Sequence, residues 1–216
     1  MSSTTAPASA ENAFGSLKNV KISSHPVLRH KISILRSSAT CQRTFRSVLR
    51  EVTYHLGYEA TGSLKTREVP VSVSIGKASE NDHLDCVGVK IADNIALIPI
   101  LRSGLGMADS MMELLPNASV HHIGMYHIPG TAPVQYFNRL PKTCTADVAF
   151  IVDPVIASAE TMMAVLAILK KVRLDVLLKR YIVSCIFLTH FSQLFASFSF
   201  FATVGCSSHL CRVSVD

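Results

Sequence analysis

The segment from Val148 to Lys171 constrains the fold of this chain more than any other. It runs VAFIVDPVIASAETMMAVLAILKK, which is an apolar strand, a turn at Asp153-Pro154, a run of small residues and a helical pattern. A strand that passes through a short loop into a helix exposes backbone N–H groups at the positive end of the helix dipole. The segment therefore predicts a phosphate-binding loop over residues 153–161.

Strands and helices alternate from residue 95 onward. Residues 95–101 (IALIPIL) form an unbroken apolar run, typical of a strand that is buried on both faces of a parallel sheet, and a helix is predicted over 107–115. The later predicted elements are strands over 120–126, 133–139 and 147–153, a helix over 161–171, and a further strand over 180–188. This alternation predicts an α/β fold with a twisted, mostly parallel sheet flanked by helices.

Polar side chains stand where three of these predicted strands end. Arg102 follows the first strand, Tyr126 and His127 follow the next, and Asp153 ends the strand 147–153. Ligands of open α/β sheets bind at the carboxyl ends of the strands. We therefore expect these side chains to border a single site.

The region before residue 95 predicts two helices and a strand. Pro26 suits the first turn of a helix, and a second helix is predicted over 41–60 with Thr40 as its cap. Valines alternate with smaller or polar residues over 69–75, which predicts a half-buried strand.

The composition excludes several classes of partner and site. The net charge is +6, but the basic residues are scattered and not interleaved with aromatic ones, so no nucleic-acid partner is expected. The six cysteines are widely spaced, which predicts neither a zinc site nor a disulfide framework. Reduced thiols favour a cytoplasmic protein.

Several strings of sequence carry a family resemblance. Residues 99–107 (PILRSGLGM) are similar to the string Pro-Ile-Leu-Arg-Ala-Gly-Leu-Gly-Met of uracil phosphoribosyltransferase, a type I phosphoribosyltransferase family. Residues 25–36 resemble the opening helix of that family, and the pairs Pro133-Val134 and Leu140-Pro141 continue the match. The family's phosphate loop runs Asp-Pro-x-x-Ala-Thr-Gly-Gly-Ser/Thr, and residues 153–161 resemble it. The similarity covers about residues 25–172.

The resemblance implies an activity in pyrimidine salvage. It implies transfer of a phosphoribosyl group from phosphoribosyl pyrophosphate to uracil, which gives UMP and pyrophosphate, with Mg²⁺ carried by the substrate and no metal ligand from the chain. It also implies a homodimer or larger homo-oligomer. The residues that it assigns to phosphoribosyl pyrophosphate binding are Arg102, His127, Asp153, Pro154, Val155, Ile156, Ala157, Ser158, Ala159, Glu160 and Thr161. Arg102 matches a pyrophosphate-binding arginine, and Asp153 matches an acidic residue that faces the ribose hydroxyls or the metal.

The chain departs from the family pattern within this set. Ala159 and Glu160 replace the two loop glycines, and His127 stands where the family has a second arginine. A carboxylate about 4 Å from a phosphate charge, at an effective dielectric near 20, is repelled by about 4 kcal/mol. Two hypotheses follow: an enzyme with impaired activity, or a non-catalytic binding or regulatory protein that keeps the fold.

The chain is predicted to have three parts: a disordered segment over 1–24, the phosphoribosyltransferase domain over 25–172 and a divergent apolar segment over 173–216. The family's uracil-reading string, like Tyr-Ile-Val-Pro-Gly-Leu-Gly-Asp-Ala-Gly-Asp, does not occur in 173–216, so no uracil-binding residue is identified. Residues 181–206 contain no Asp, Glu, Lys or Arg and are numerous enough to span a bilayer. A divergent end, an artefact of gene prediction and a membrane anchor stay open, and the polar residues within the stretch make the anchor the least favoured.

Overall fold

The computed structural model describes most of the chain before residue 172 and strand backbone after it. The described residues are 20–23, 25–74, 83–126, 128, 131–141, 145–156 and 159–171, with the backbone of 180–185, 187–188, 202–203 and 210–215. The helices are α1 (Pro26–Arg36), α2 (Gln42–Thr61), α3 (Leu105–Leu114) and α4 (Glu160–Lys171).

A mixed sheet forms the centre of the fold. Its strands are β1 (Val20–Ser23), β4 (Ile95–Leu101), β5 (Ser119–Val120), β6 (Ile123–Tyr126), β7 (Val134–Asn138), β8 (Val148–Val152), β10 (Arg180–Cys185), β12 (Ala202–Thr203) and β13 (Leu210–Val215). The strand order is β1-β12-β13-β10-β8-β4-β6-β7, with β5 paired to β4. The pairs β10–β8, β8–β4 and β4–β6 are parallel, whereas β7 is antiparallel to β6. The predicted mostly parallel sheet is therefore confirmed in the part that carries the site.

The apolar runs of β4 and β8 lie at the middle of this sheet. Leu97 and Phe150 pair in register across the two strands, and neither side chain is exposed. They belong to one hydrophobic core with buried residues of α1, α2 and α3. Burial of a side chain of this size contributes about 2 kcal/mol. The core fixes the carboxyl ends of β4 and β8 side by side.

Two strands outside the main sheet form a hairpin of their own. β2 (Thr66–Ser74) pairs only with β3 (His83–Ile91) in an antiparallel register among the described residues. The predicted strand is present as part of β2 up to Ser74, but Val71 and Val73 are 41% and 43% exposed, so the prediction that they are buried on one face is wrong. The alternation of valines is real, but none of the hairpin residues whose side chains are described belongs to the hydrophobic core.

Some sequence predictions differ from the structure in detail. The predicted strand over 120–126 is divided into β5 and β6, both of which pair with β4. Cys41, not Thr40, is the N-cap of α2, and the Thr40 hydroxyl donates to the carbonyl of Ile34. The strand β1 lies inside the segment predicted to be disordered, so the disorder prediction is wrong for Val20–Ser23. Residues 1–19 lie outside the described part.

The predicted strand over 180–188 is present in the backbone. β10 continues the parallel sheet beside β8, and β11 (Phe187–Leu188) follows it. Most of the charge-free stretch 181–206 lies outside the described residues. Within the described part, no helix has the length and apolar character needed to cross a bilayer.

Candidate functional site

A cleft of about 780 Å³ opens at the carboxyl ends of β4, β6 and β8. Its lining residues are Ile100, Leu101, Arg102, Ser103, Met125, Tyr126, Tyr136, Asp153 and Thr161. Arg102 is far in sequence from Asp153 and Thr161, and the family resemblance assigns all three residues to one ligand. The structure brings these three together at the predicted edge of the sheet.

The loop after β4 folds back tightly onto its own strand. The Leu101–Arg102 peptide is cis, and the N–H of Gly104 donates to the carbonyl of Ile100 at 2.8 Å. A methyl group on Gly104 would lie 2.5 Å from the carbonyl oxygen of Val152, closer than any real contact. Only glycine therefore allows the loop to approach the end of β8. Arg102 stays exposed on this loop, at the cleft wall.

Asp153 is a buried carboxylate at the end of β8. Its side chain is 8% exposed. The Ser103 hydroxyl donates to Oδ1 at 2.6 Å, and the backbone N–H of Val155 donates to the same carboxylate. Burial raises the pKa of Asp153 from 3.8 to about 6, because removal from water disfavours the charged form, and the two hydrogen bonds offset part of that rise. The carboxyl group therefore changes charge close to neutral pH.

The predicted phosphate loop contains a short strand. Val155 and Ile156 form β9, which pairs in parallel with β11. Pro154 is half-buried and Ile156 is buried. None of Pro154, Val155 and Ile156 lines the cleft. The early part of the loop is thus fixed by backbone pairing.

The loop then enters α4 through an unusual backbone conformation. Ala159 has φ of 67°, in the left-handed region that favours glycine, and its side chain is buried. Glu160 begins α4 with an exposed side chain, and the half-buried Thr161 reaches the cleft. The predicted contributions of His127, Ala157 and Ser158 fall outside the described residues and stay predictions.

Sequence reasoning missed Tyr136 and Ser103. Tyr136 lies on β7, where a shift in register pairs Gly124 with Phe137 and Met125 with Gln135, so Tyr136 is the extra residue of a bulge. Its ring lies over Gly124 and 6.1 Å from the ring of Tyr126. Bulges turn side chains toward sites in this way, and single-sequence patterns do not show them.

Ser103 offered a weak signal. It lies next to Arg102 in a loop with two glycines, but no pattern in the sequence predicts its hydrogen bond to Asp153.

The described residues do not form a metal site of their own. No group of three or more His, Cys, Asp or Glu side chains is close enough among them to hold a metal ion. Mg²⁺ prefers an octahedral set of oxygen ligands and retains several waters. Asp153 alone does not fit that requirement, so no step of the chemistry is assigned to a protein-held ion.

Comparison with known proteins decides the family. The family model for uracil phosphoribosyltransferase matches residues 22–198. The chain belongs to this family. The uracil phosphoribosyltransferase of Agathobacter rectalis is 40% identical over 153 residues, which is 70% of each chain, and that of Thermosipho melanesiensis is 36% identical over the same length and coverage. The solved structure of the AQ2163 protein from Aquifex aeolicus has a TM-score of 0.66 and 25% identity, and the match covers 77% of this chain and 74% of that one.

Membership in the uracil phosphoribosyltransferase family confirms the resemblance drawn from residues 25–172 and the α/β phosphoribosyltransferase fold. It also confirms the interpretation of the chain as a glycosyltransferase-type protein of pyrimidine salvage. The family match continues past Val172 to residue 198. The division of the chain at that point stays a prediction.

Proposed function

We propose that this chain binds phosphoribosyl pyrophosphate in the cleft at the ends of β4 and β8 and transfers its ribosyl group to uracil. The bond between C1′ and the pyrophosphate oxygen breaks, a bond from C1′ to N1 of uracil forms, and the N1 proton is lost. The observation that carries this proposal is the convergence of Arg102, Asp153 and Thr161 on one cleft. The uracil phosphoribosyltransferases of Agathobacter rectalis and Thermosipho melanesiensis, each matched over 70% of its length, support uracil as the acceptor.

Each of the three residues has a distinct role. Arg102 presents an exposed guanidinium to the pyrophosphate, where negative charge develops as the bond to C1′ breaks. Asp153 accepts hydrogen bonds from the ribose hydroxyls. Thr161, in the first turn of the twelve-residue helix α4, donates to the 5′-phosphate beside the positive end of the helix. Mg²⁺ enters with the pyrophosphate of the donor. Much of the catalysis then comes from positioning, which is worth about 7–11 kcal/mol at best.

We further propose that donor binding is weaker than the family pattern allows. Glu160 places a carboxylate at the helix end that should receive a phosphate, and Ala159 stiffens a position in the left-handed region. These two residues favour the second candidate, a non-catalytic binding or regulatory protein that keeps the fold. The missing uracil-reading string in residues 173–216 favours the same candidate.

We propose a homodimer or larger assembly, built on the β2–β3 hairpin. Val87 and Val89 lie on one face of β3 and are 72% and 69% exposed. A hairpin is marginally stable alone, and exposed apolar faces of this kind mark association surfaces. The cytoplasm is the proposed location, on the basis of the widely spaced cysteines.

Calorimetry of donor binding tests the proposed function. Phosphoribosyl pyrophosphate with Mg²⁺ should bind the chain, and Arg102→Ala should remove the binding, while Arg36→Ala, an exposed arginine in the last turn of α1, should leave it unchanged. Affinity that is equal in the chain and in Arg102→Ala would overturn the site. Formation of UMP from labelled uracil by protein free of host enzyme separates the two candidates: transfer supports the enzyme, and donor binding without transfer supports the binding protein.

A further inference from the structure

Ser103 and Asp153 join the ends of two neighbouring strands through one hydrogen bond. Ser103 lies in the loop after β4, Asp153 directly follows β8, and the Ser103 hydroxyl donates to Asp153 Oδ1 over 2.6 Å. Fifty residues separate them in sequence. Both residues line the cleft described above.

The contact with Ser103 uses only part of the hydrogen-bonding capacity of the Asp153 carboxylate. Ser103 occupies Oδ1, and the backbone N–H of Val155 is the other donor to the Asp153 side chain. An ionised carboxylate has about four acceptor positions on its two oxygens. Two donors from the protein therefore leave acceptor positions on the carboxylate, which lines the cleft.

We propose that Ser103 is a positioning residue that holds the Asp153 carboxylate in the orientation needed to accept hydrogen bonds from the ribose hydroxyls of the donor. This inference rests on the proposed function, since it takes phosphoribosyl pyrophosphate as the ligand. Ser103 acts through Asp153 and is not a catalytic residue. Gly104 supports the arrangement, because a side chain there would push the loop away from Val152 and thus from Asp153.

The state of charge of Asp153 supports the same role. Burial favours the neutral acid, and the hydrogen bond from Ser103 is the larger of the two contacts that lower its pKa. The other ionisable groups that line the cleft are Arg102, Tyr126 and Tyr136, and Glu160 precedes Thr161 in α4. None of these four is a cause of the shift at Asp153. Ser103 thus also keeps the carboxylate ionised near neutral pH, when the ribose hydroxyls need an acceptor.

Two variants and a control separate this role from a structural one. Ser103→Ala removes the donor, and Ser103→Thr keeps a hydroxyl at the same place. Ser110→Ala is the matched control, because the Ser110 hydroxyl is buried in α3 without a hydrogen-bond partner among the described residues. The ¹³C signal of the Asp153 carboxyl, assigned with Asp153→Asn, reports its titration in the free protein, and calorimetry reports donor affinity.

Ser103→Ala should raise the titration midpoint of Asp153 by about one pH unit and weaken donor binding at pH 7 by about tenfold, the size expected for a hydrogen bond to a charged group. Ser103→Thr should restore both, and Ser110→Ala should change neither. An unchanged midpoint in Ser103→Ala, or a raised midpoint with unchanged donor affinity, would overturn the proposal. If no variant formed UMP, the proposed transfer to uracil would be contradicted. The proposed role of Ser103 would still stand, because the titration midpoint and the donor affinity do not depend on transfer.

Discussion

The Cα of Gly104 faces the carbonyl oxygen of Val152 so closely that a Cβ atom at this position would lie 2.5 Å from it. The same Cβ would lie 2.6 Å from the backbone nitrogen of Ile100. These neighbours are backbone atoms of β4 and β8, which cannot rotate away as a side chain can. The contact joins the loop that carries Arg102 to the strand that carries Asp153.

Gly104→Ala is expected to lower the free energy of unfolding by about 1–3 kcal/mol, the usual cost of overpacking a close contact. It should also weaken donor binding, because the loop must move away from β8 and take Arg102 and Ser103 with it. Urea unfolding and calorimetry measure the two effects.

Gly62→Ala is the control for this change. Gly62 is the C-cap of α2 at φ of −60°, and a Cβ there would lie 3.5 Å from the carbonyl oxygen of Glu59. Alanine fits this backbone and should leave stability unchanged or raise it by about 0.5 kcal/mol. Equal effects of Gly104→Ala and Gly62→Ala would contradict the close-contact argument.

The parts of the site that follow from strand ends could be predicted from the sequence. The runs 95–101 and 148–152 are apolar on both faces, which is specific to strands inside a parallel sheet. Once these strands are neighbours, Arg102 and Asp153 must meet at the same edge. The prediction therefore succeeded where local pattern and topology agree.

The remaining parts depend on contacts that no local pattern encodes. The bond from Ser103 to Asp153 arises from the close approach at Gly104, and Tyr136 reaches the cleft through a bulge in β7. The hairpin strand β3 was not predicted because its apolar alternation, at Val87, Val89 and Ile91, covers only the second half of the strand. Exposure of the hairpin valines is likewise a matter of tertiary packing, which the alternation of residues cannot reveal.

Ala159→Gly is expected to stabilise the protein slightly. A left-handed conformation costs an ordinary residue about 1–2 kcal/mol, and the gain in unfolded-state freedom with glycine offsets about 0.5–1 kcal/mol of the relief. Urea unfolding should show a net gain of about 0.5 kcal/mol. Ala164→Gly, within the helix α4, should instead lose about 1 kcal/mol. If Ala159→Gly lowered the free energy of unfolding as much as Ala164→Gly does, the argument that Ala159 is strained at φ of 67° would be contradicted.

Glu160→Gln is expected to strengthen donor binding. The side chain is exposed, so solvent screens its repulsion of a phosphate about 4 Å away to about 1 kcal/mol, which is about fivefold in affinity. The gain should shrink when ionic strength rises from about 0.1 M to about 1 M. Glu68→Gln, an exposed change on the hairpin, is the control. Calorimetry that finds the same affinity for the chain and for Glu160→Gln at low salt would show that the carboxylate does not face the phosphate.

The exposed face of β3 is expected to hold the proposed oligomer together. The double change Val87→Lys, Val89→Lys places charges where apolar contact is needed, and it should reduce the mass measured by size-exclusion chromatography with light scattering to that of one chain. Val27→Lys, at a position 54% exposed on α1, should leave the assembly intact. Loss of assembly in both variants would point to a general effect of charge, and an unchanged mass in the hairpin variant would exclude this face.

The pKa of Asp153 predicts opposite effects of acid on stability and on donor binding. Because the folded-state pKa is raised from 3.8 to about 6, the native state binds a proton more tightly than the unfolded chain does. The stabilisation that the folded state gains from this tighter proton binding is fully present below about pH 3.8 and is lost as pH rises through about 6. A shift of this size corresponds to about 3 kcal/mol.

Asp153→Asn should therefore remove a pH-dependent term from the unfolding free energy. The difference in stability between the variant and the chain should grow in favour of the variant as pH rises from 4 to 7, toward a limit of about 3 kcal/mol. Taking the difference cancels the titration of histidines and other groups common to both proteins. Donor affinity of the unmodified chain should fall below about pH 6, where Asp153 gains a proton, and Asp153→Asn should bind weakly throughout. Urea unfolding and calorimetry across this range measure both trends, and a stability difference that is constant between pH 4 and 7 would show that Asp153 titrates as an ordinary exposed carboxylate.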